Sequence, residues 1–490
     1  MEQSKLSFRY YFICAVVLFV ITVLDLLLFS YSTSPLFDAP SSRDSGMFLT
    51  IGKYWSEGYL PYIDLWDSKG PIIFFVNALG YSITHSRLGV FIIQVLCLFI
   101  ANLYHFKILL LQFKPKNAFI WTLLILLSLN YIYEAGDTVE EFILPLLSAS
   151  FYYLYKWSLT MNSRSSHPPR YAFLYGAVLS FALFSRLTNA VGICMAVFFI
   201  TVLLSARKQW GNLLLNIGLF LSGFILVAFP FVCYFLANNA LGDMWYAMFT
   251  YNLEYAGGSG FNILGFRGVV VILTLFINCW MLVVVSLMNL RYPQFRLRSC
   301  LWLSISTITF LWLLKSNGYG HYAIIALPCM AVAVGETKAT FALNRNNVKL
   351  AYCLSSLYII VIIVRNIWWI YLIFHLGYTN NKSAMMIKEL LNKELPQGYV
   401  KSFVAYEPDN LDLYLHLDTK PYYRFFVLQN WAAKCGRSLR PQIERTFREG
   451  NCKYIFVNQE KKSQLQEMVG KRYHVRYEDN NYCILEINSI

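Results

Sequence analysis

Long apolar segments recur along the first three quarters of the chain and alternate with short polar loops. The first covers residues 10–30, and ten more follow at 88–112, 117–133, 141–159, 171–186, 189–206, 212–237, 266–289, 300–314, 321–337 and 349–374. Most approach the roughly 20 residues that an α-helix needs to cross the hydrocarbon core of a bilayer. The pattern therefore predicts a polytopic α-helical membrane protein with about eleven transmembrane helices.

The positions of basic residues indicate how these helices are oriented. Lys5 and Arg9 precede the first apolar segment, and an excess of Lys and Arg is typical of the cytoplasmic side. The segment 71–85 is shorter than a span, and leaving it out of the count places the later basic clusters on the cytoplasmic side too. We therefore expect 71–85 to form a juxtamembrane helix that lies in or dips into the outer leaflet. The segments expected outside are then 31–87, 133–141, 238–265 and everything after 374.

The polar end of the chain predicts a separate folded region. Segments 381–395 and 438–449 have helical spacing, whereas the short strand-like segments are 399–406, 423–428, 452–458 and 473–477. Alternating strands and helices predict a parallel or mixed sheet. The sequence thus predicts a transmembrane region 1–374, which includes the outer loop 31–87, and a soluble extracytoplasmic α/β domain 375–490.

Composition agrees with a membrane protein and argues against other classes. Only 14% of the residues are charged, against about 25% in a soluble globular protein. Arg365 lies within the last predicted span, and we expect it to face protein rather than lipid. The net charge of +14 is spread over short loops, so it does not indicate nucleic-acid binding. The sequence has no P-loop, no HxxxH or DxD metal motif and no GxSxG, so we expect no cofactor, with a divalent metal left open.

The outer loop 31–87 carries the densest set of ionisable residues. Asp44 opens an amphipathic stretch, where it could cap a helix or act as a general base toward a hydroxyl group. Asp64, Asp67 and Lys69 follow, just before Gly70-Pro71 begins the next helix. A lysine beside a helix start can bind a phosphate, and an ion pair with Asp67 on a solvated loop would explain it as well.

Three further outer segments carry ionisable residues. Glu140 and Glu141 precede the helix 141–159, where acids suit the helix dipole and where one of them could still reach a sugar hydroxyl or a metal. Arg186 lies at a turn between two predicted spans, where it could snorkel or bind a phosphate. Lys315 and His321 bracket a Gly-rich turn, and together they suit an anion better than either does alone.

These segments, in this order, resemble the GT-C glycosyltransferases, and in particular the protein O-mannosyltransferases and the aminoarabinose transferases that act on lipid A. The matching segments are RDSGMF (43–48), EGYLPYIDLWDSKGP (57–71), DTVEEFILPL (137–146), Arg186 and His321-Tyr322. Two departures occur. The Asp-Glu pair of the mannosyltransferases is Asp44-Ser45 here, and their double proline after the basic residue is Lys69-Gly70-Pro71.

The resemblance implies transfer of a sugar from a polyprenyl-phosphate donor to a glycolipid, cell-surface glycan or protein acceptor, by a single displacement with inversion. The predicted topology places the protein in a plasma membrane, and the resemblance implies a bacterial inner membrane with the active site outside. The implied catalytic base is Asp44. The implied phosphate-binding residues are Lys69, His321 and Arg186, and the implied substrate-binding residues are Asp64, Asp67, Glu140, Glu141 and Tyr322.

Other functions remain open at this point. A flippase or transporter of lipid-linked sugars would share the spans and the buried charges. It would not explain the loop 31–87 or the folded tail, and the sequence shows no inverted repeat. An O-antigen polymerase or ligase would also transfer a glycosyl group, from a diphosphate-linked oligosaccharide, but usually places its large loop between late spans. A membrane scaffold would need no cluster of acids and cations at one face.

Overall fold

The computed structural model describes residues 8–37, 43–163, 166–258, 277–315, 319–341, 345–375, 382–436 and 438–488. The chain packs into two compact units. Unit 1 comprises Met1–Ser30, Ile92–Phe231 and Phe261–Gly377, and unit 2 comprises Tyr31–Phe91, Val232–Gly260 and Tyr378–Ile490. The predicted division into a transmembrane region 1–374 and a soluble region 375–490 concerns position relative to a membrane, and it stays a prediction.

Helices form where the apolar segments predict them. Up to residue 258 they are α1 (Phe8–Phe29), α2 (Arg43–Ser56), α3 (Pro71–Thr84), α4 (Arg87–Leu110), α5 (Pro115–Leu127), α6 (Val139–Ser158), α7 (Pro169–Leu183), α8 (Val191–Ala206), α9 (Trp210–Ala237), α10 (Leu241–Trp245) and α11 (Tyr251–Gly258). Next come α12 (Ile277–Asn289), α13 (Arg296–Lys315), α14 (Leu327–Phe341) and α15 (Arg345–His375). Short 3-10 segments, Leu187–Ala190 and Gly320–Ala326, lead into α8 and α14.

Seven helices among the described residues are long and apolar enough to cross a membrane, so the chain is a multi-pass membrane protein. They are Phe8–Phe29, Arg87–Leu110, Leu187–Ala206, Trp210–Ala237, Arg296–Leu314, Gly320–Lys338 and Tyr352–Leu372. The four other predicted spans contain α5, α6, α7 and α12, and their crossing of a membrane stays a prediction. The 13 residues of α5 extend about 20 Å, less than the ~30 Å of a hydrocarbon core. Residues 266–276 of one predicted span lie outside the described residues, as do 259–265 of the outer loop predicted over 238–265.

Proline marks the start of several of these helices. Pro71, Pro115 and Pro169 each stand in the first turn of α3, α5 and α7. A missing N–H costs no hydrogen bond there, and the fixed φ of proline suits the helix. The helix predicted over 71–85 is confirmed as α3, whereas its position in the outer leaflet stays a prediction.

Buried charged side chains of unit 1 lie against other groups of the protein. Arg365 is buried in α15 and its guanidinium lies 4.5 Å from the ring centroid of Tyr131, which confirms that it faces protein. Arg298 and Glu336 are also buried, and the Arg298 Nε atom lies 3.1 Å from a carboxylate oxygen of Glu336. Such pairing is expected because an isolated charge is costly at membrane depth.

The end of the chain forms the small mixed sheet that the sequence predicts. Its strands are β1 (Phe403–Tyr406), β2 (Tyr454–Asn458), β3 (Tyr473–Glu478) and β4 (Tyr482–Ile487), in the order β1-β2-β4-β3. β1 and β2 are parallel, whereas β4 runs antiparallel to both of its neighbours. The helices of this region are α16 (Lys382–Glu394), α17 (Leu413–His416), α18 (Gln429–Cys435), α19 (Arg440–Glu449) and α20 (Lys462–Val469).

One predicted strand is wrong and one strand was missed. The segment 423–428 is irregular, because its backbone bonds elsewhere: the Trp66 N–H donates to the carbonyl of Arg424 at 2.9 Å. Tyr423, Phe425, Phe426 and Val427 of this segment are buried without joining the sheet. β4 was missed because a polar turn interrupts the pattern. In that turn Asp479 accepts a hydrogen bond of 2.7 Å from the N–H of Tyr482, which closes the hairpin with β3.

Unit 2 joins the segment Tyr31–Phe91 to the end of the chain. Trp66 packs edge-on against Tyr251, with ring centroids 5.0 Å apart, and lies 5.8 Å from the ring of Phe425. All three rings belong to one buried cluster. Gly46 lets α2 approach closely, since a Cβ there would lie 2.8 Å from the backbone nitrogen of Asp412. These contacts fix α2 and the loop after it, which carry the predicted base and its neighbours.

Candidate functional site

Three of the predicted residues come together in unit 1. Glu140 lies in the first turn of α6, Arg186 just precedes the Leu187–Ala190 turn, and Tyr322 lies in the turn before α14. The Arg186 Nη1 atom is 2.8 Å from Glu140 Oε1, and the guanidinium carbon lies 3.3 Å from the centroid of the Tyr322 ring. The carboxylate and the ring therefore hold the guanidinium from two sides.

His321, next to Tyr322, is held by a residue that the sequence analysis did not single out. The Nδ1 atom of His321 lies 2.5 Å from Glu134 Oε2, and the Gly320 N–H donates to Glu134 Oε1, also at 2.5 Å. The His321 and Tyr322 rings meet edge to face with centroids 4.5 Å apart. Glu134, His321, Tyr322, Arg186 and Glu140 thus form one connected set, which we call the cation set.

The backbone that carries Glu134 has an unusual conformation. Four consecutive residues have positive φ: Glu134 (47°), Ala135 (81°), Gly136 (83°) and Asp137 (58°). L-residues rarely occupy this region, and each such residue costs on the order of 1 kcal/mol or more. Gly136 also has no room for a side chain, because a Cβ there would lie 2.3 Å from the hydroxyl of Ser30. Strain of this kind is common at functional sites.

Glu141 starts the helix that presents Glu140. Its Oε1 accepts the backbone N–H of Thr138 at 2.9 Å, as one half of a capping box. Its Oε2 accepts hydrogen bonds from Gln94, at 2.8 Å, and from the Tyr133 hydroxyl. These contacts explain Glu141 as a structural residue, and its binding of a substrate stays a prediction.

Three other predicted residues interact in unit 2. Asp44 lies in the first turn of α2, one residue after Arg43, so it is inside the helix rather than at the cap position. Asp67 is 7% exposed and accepts the N–H of Lys69 at 2.8 Å. Burial raises the pKa of Asp67, Lys69 opposes that rise, and the nearby carboxylate of Asp44 adds to it. We call Asp44, Asp67 and Lys69 the carboxylate set.

Asp64 and Tyr62 fix the loop that carries this set. Asp64 Oδ2 accepts the N–H of Leu60 at 2.7 Å. Tyr62 is fully buried with φ of 72°, and its hydroxyl donates to the carbonyl of Lys69 at 2.9 Å. Asp64 therefore closes a turn, and its predicted contact with substrate stays a prediction.

Lys315 and metal binding are the two remaining points that concern the predicted site. The side chain of Lys315 lies outside them. No three His, Cys, Asp or Glu side chains within them are grouped so that they could hold a metal ion. The chemistry that is present is an arginine and a histidine with aromatic and carboxylate partners in unit 1, and two carboxylates beside a lysine in unit 2.

No protein-family model matches the sequence, and a search of curated proteins found no relative. Solved structures nevertheless show which class of fold this is. The chain shares its fold, polytopic and helical with a small C-terminal sheet as the sequence predicts, with solved structures of two other proteins.

Two of these structures cover nearly the whole chain. ArnT from Cupriavidus metallidurans bound to undecaprenyl phosphate is 14% identical with a TM-score of 0.58, over 96% of this chain and 97% of that one. AglB, the oligosaccharyltransferase of Archaeoglobus fulgidus, in complex with an inhibitory peptide and a dolichol-phosphate, is 12% identical with a TM-score of 0.52. That match covers 94% of this chain and 71% of AglB.

Proposed function

We propose that this protein is a membrane glycosyltransferase that transfers a sugar from a polyprenyl-phosphate donor to an acceptor on the outer side of the membrane. The observation that carries the proposal is the cation set, in which Arg186 and His321 converge from separate segments of unit 1. The fold supports it, because ArnT was solved with undecaprenyl phosphate and AglB with a dolichol-phosphate.

In this proposal the cation set binds the phosphate of the donor. The phosphate gains negative charge as its bond to the sugar breaks, so cations that are already in place stabilise the transition state more than the bound donor. Arg186 and His321 supply that charge in unit 1. The resemblance to the family implies phosphate binding by Lys69 of unit 2 as well. Glu140 and Tyr322 hold Arg186 in position before the donor arrives.

The carboxylate set acts on the acceptor. Asp44 takes the proton from the attacking hydroxyl, and the attack inverts the anomeric carbon in a single displacement. Asp67, beside Asp44, binds the substrate, as the resemblance implies. The acceptor is a glycolipid, a cell-surface glycan or a protein, and the enzyme works at a bacterial inner membrane with its tail outside.

The test is transfer by purified protein in nanodiscs, with radiolabelled polyprenyl-phosphate sugars and a crude envelope acceptor. We expect Asp44→Asn to abolish transfer at an unchanged Tm. The matched control is Asp418→Asn, which alters an exposed aspartate that pairs with Lys53 and is expected to retain full transfer.

Two results would count against the proposal. Normal turnover by Asp44→Asn would exclude Asp44 as the base. If the wild-type protein transfers no sugar from any donor but moves lipid-linked sugar across liposomes, the protein is a flippase.

A further inference from the structure

Glu134 makes two contacts with one short segment of the chain. One carboxylate oxygen accepts the Gly320 N–H and the other lies against His321 Nδ1, each at 2.5 Å. Gly320 is needed for this approach, because a Cβ there would lie 2.8 Å from Glu134 Oε1. The strained backbone of residues 134–137 presents the carboxylate in this position. A strained backbone, which costs conformational free energy, thus places an acid against the histidine of the cation set.

We propose that Glu134 is a positioning residue that holds His321 as an imidazolium ion directed at the phosphate that leaves the sugar. The inference rests on the proposed function and adds a residue to its machinery. Glu134 itself touches no substrate in this scheme and acts only through His321.

Two effects of the carboxylate support this role. A neighbouring negative charge that accepts the Nδ1 proton favours the charged form of the ring. The same bond fixes the plane of the ring and the direction of its Nε2–H, as carboxylates do for histidines that bind metals. The edge-to-face contact with Tyr322 limits rotation of the ring from another side. His321 is therefore prepared to meet an anion without rearranging.

A purely structural role for Glu134 makes a different prediction. In that case the residue only ties residues 134–137 to the turn before α14, and His321 is incidental. Glu134→Gln separates the two possibilities, because glutamine keeps an oxygen for the Gly320 N–H and removes the charge facing His321. A structural role predicts little change from this variant, whereas a positioning role predicts weaker phosphate binding.

The experiment measures two affinities in purified protein. The inhibition constant of polyprenyl phosphate reports on the product, and the KM of the lipid-linked sugar reports on the donor. The product carries more negative charge than the donor, so loss of the imidazolium ion weakens product binding more. We expect Glu134→Gln to raise the inhibition constant about 10- to 100-fold, as for loss of a hydrogen bond to a charged group. We expect the donor KM to rise less and the Tm to stay unchanged.

A double-mutant cycle shows whether the effect passes through His321. His321→Asn keeps an amide donor near the position of Nδ1 and cannot carry the charge. In that background Glu134→Gln should change product binding by less than two-fold. Glu134→Asp, which keeps the carboxylate, should bind product more tightly than Glu134→Gln does, even if either variant is somewhat less stable.

Several outcomes would overturn the inference. Unchanged product affinity in Glu134→Gln would do so, as would an equal loss in the His321→Asn background or equal losses in Glu134→Asp and Glu134→Gln. All of these leave the proposed function standing, provided that the wild-type protein transfers sugar and binds polyprenyl phosphate. A wild-type protein that does neither overturns the proposed function, and this inference with it.

Discussion

The Arg186–Glu140 ion pair offers a test of whether Arg186 serves stability alone. The Glu140 side chain is 2% exposed and Arg186 21%, with 2.8 Å between their charged atoms. Arg186→Gln leaves a buried carboxylate without its cation, and breaking such a pair costs about 3–5 kcal/mol. If unit 1 unfolds as one cooperative unit, we expect the Tm to fall by roughly 5–8 °C. Adding Glu140→Gln replaces the stranded charge by an amide, so the double variant should regain most of the loss.

Sugar transfer should not follow the Tm across the wild type, Arg186→Gln and the double variant Arg186→Gln/Glu140→Gln. If Arg186 binds the donor phosphate, the double variant is stable and still inactive, because the cation is missing in both variants. Thermal unfolding in detergent and transfer of radiolabelled sugar, measured on the same preparations, separate the two roles. Recovery of transfer together with the Tm in the double variant would refute phosphate binding by Arg186. An unchanged Tm in Arg186→Gln would refute the reasoning from burial.

A second buried pair in unit 1 provides a matched control. Arg298 and Glu336 are 9% and 2% exposed, and 3.1 Å separates the Arg298 Nε atom from a carboxylate oxygen. Arg298→Gln should therefore lower the Tm by a similar amount. Because neither residue belongs to the cation set, its turnover per folded molecule should stay at the wild-type level.

Two further substitutions test unit 2. Asp67→Asn should keep the bond from the Lys69 N–H, equal or exceed the wild-type Tm at pH 7 and reduce transfer. The raised pKa of Asp67 means that the folded state binds more protons, so wild-type stability should fall as the pH rises from about 4 through that value. When the Tm is measured from pH 4 to 8, Asp67→Asn should lack this fall in stability. A pH profile of the Tm equal to that of the wild type would contradict the contribution of Asp67. Gly46→Ala should cost about 1–3 kcal/mol, because its Cβ would clash with the Asp412 backbone. Gly242→Ala is its control, since nothing lies within 4 Å of a Cβ there, and an equal fall in Tm for both would refute the clash.

The membrane helices could be predicted because lipid imposes a strict requirement on sequence. A spanning helix must satisfy its own backbone and offer apolar side chains over about 20 residues, which leaves a long and unambiguous signal. The signal fails for short helices. α5 has 13 residues and α7 has 15, and such lengths fit a buried helix as well as a span. In the tail, segment 423–428 has the composition of a strand, but the carbonyl of Arg424 accepts the N–H of the distant Trp66, which no local pattern reveals.

The candidate site was predicted unevenly for a related reason. Arg186, Glu140 and His321 could be singled out because they are ionisable residues beside apolar helices, on the side that is expected outside. Glu134 was not singled out, although it lies in the loop 133–141 that was expected outside. Its partners lie 186 and 187 positions later in the chain, and they become visible only when the turn before α14 packs on that loop. The role proposed for Glu134 therefore depends on a contact that periodicity and spacing do not encode.

The pairing of charges in the cation set also bears on product release. Arg186 lies against Glu140 and His321 lies against Glu134, so the four formal charges cancel when the ring is protonated. A set of unpaired cations would bind the phosphate product tightly, and slow release of that product would delay the next turnover. Such binding brings no gain in rate, because only interactions gained in the transition state raise the rate. We infer that Glu140 limits this binding while it keeps Arg186 in place. The single variant Glu140→Gln tests whether Glu140 limits binding of the product. It should bind polyprenyl phosphate more tightly than the wild type, and weaker binding would show that Glu140 serves only to place Arg186.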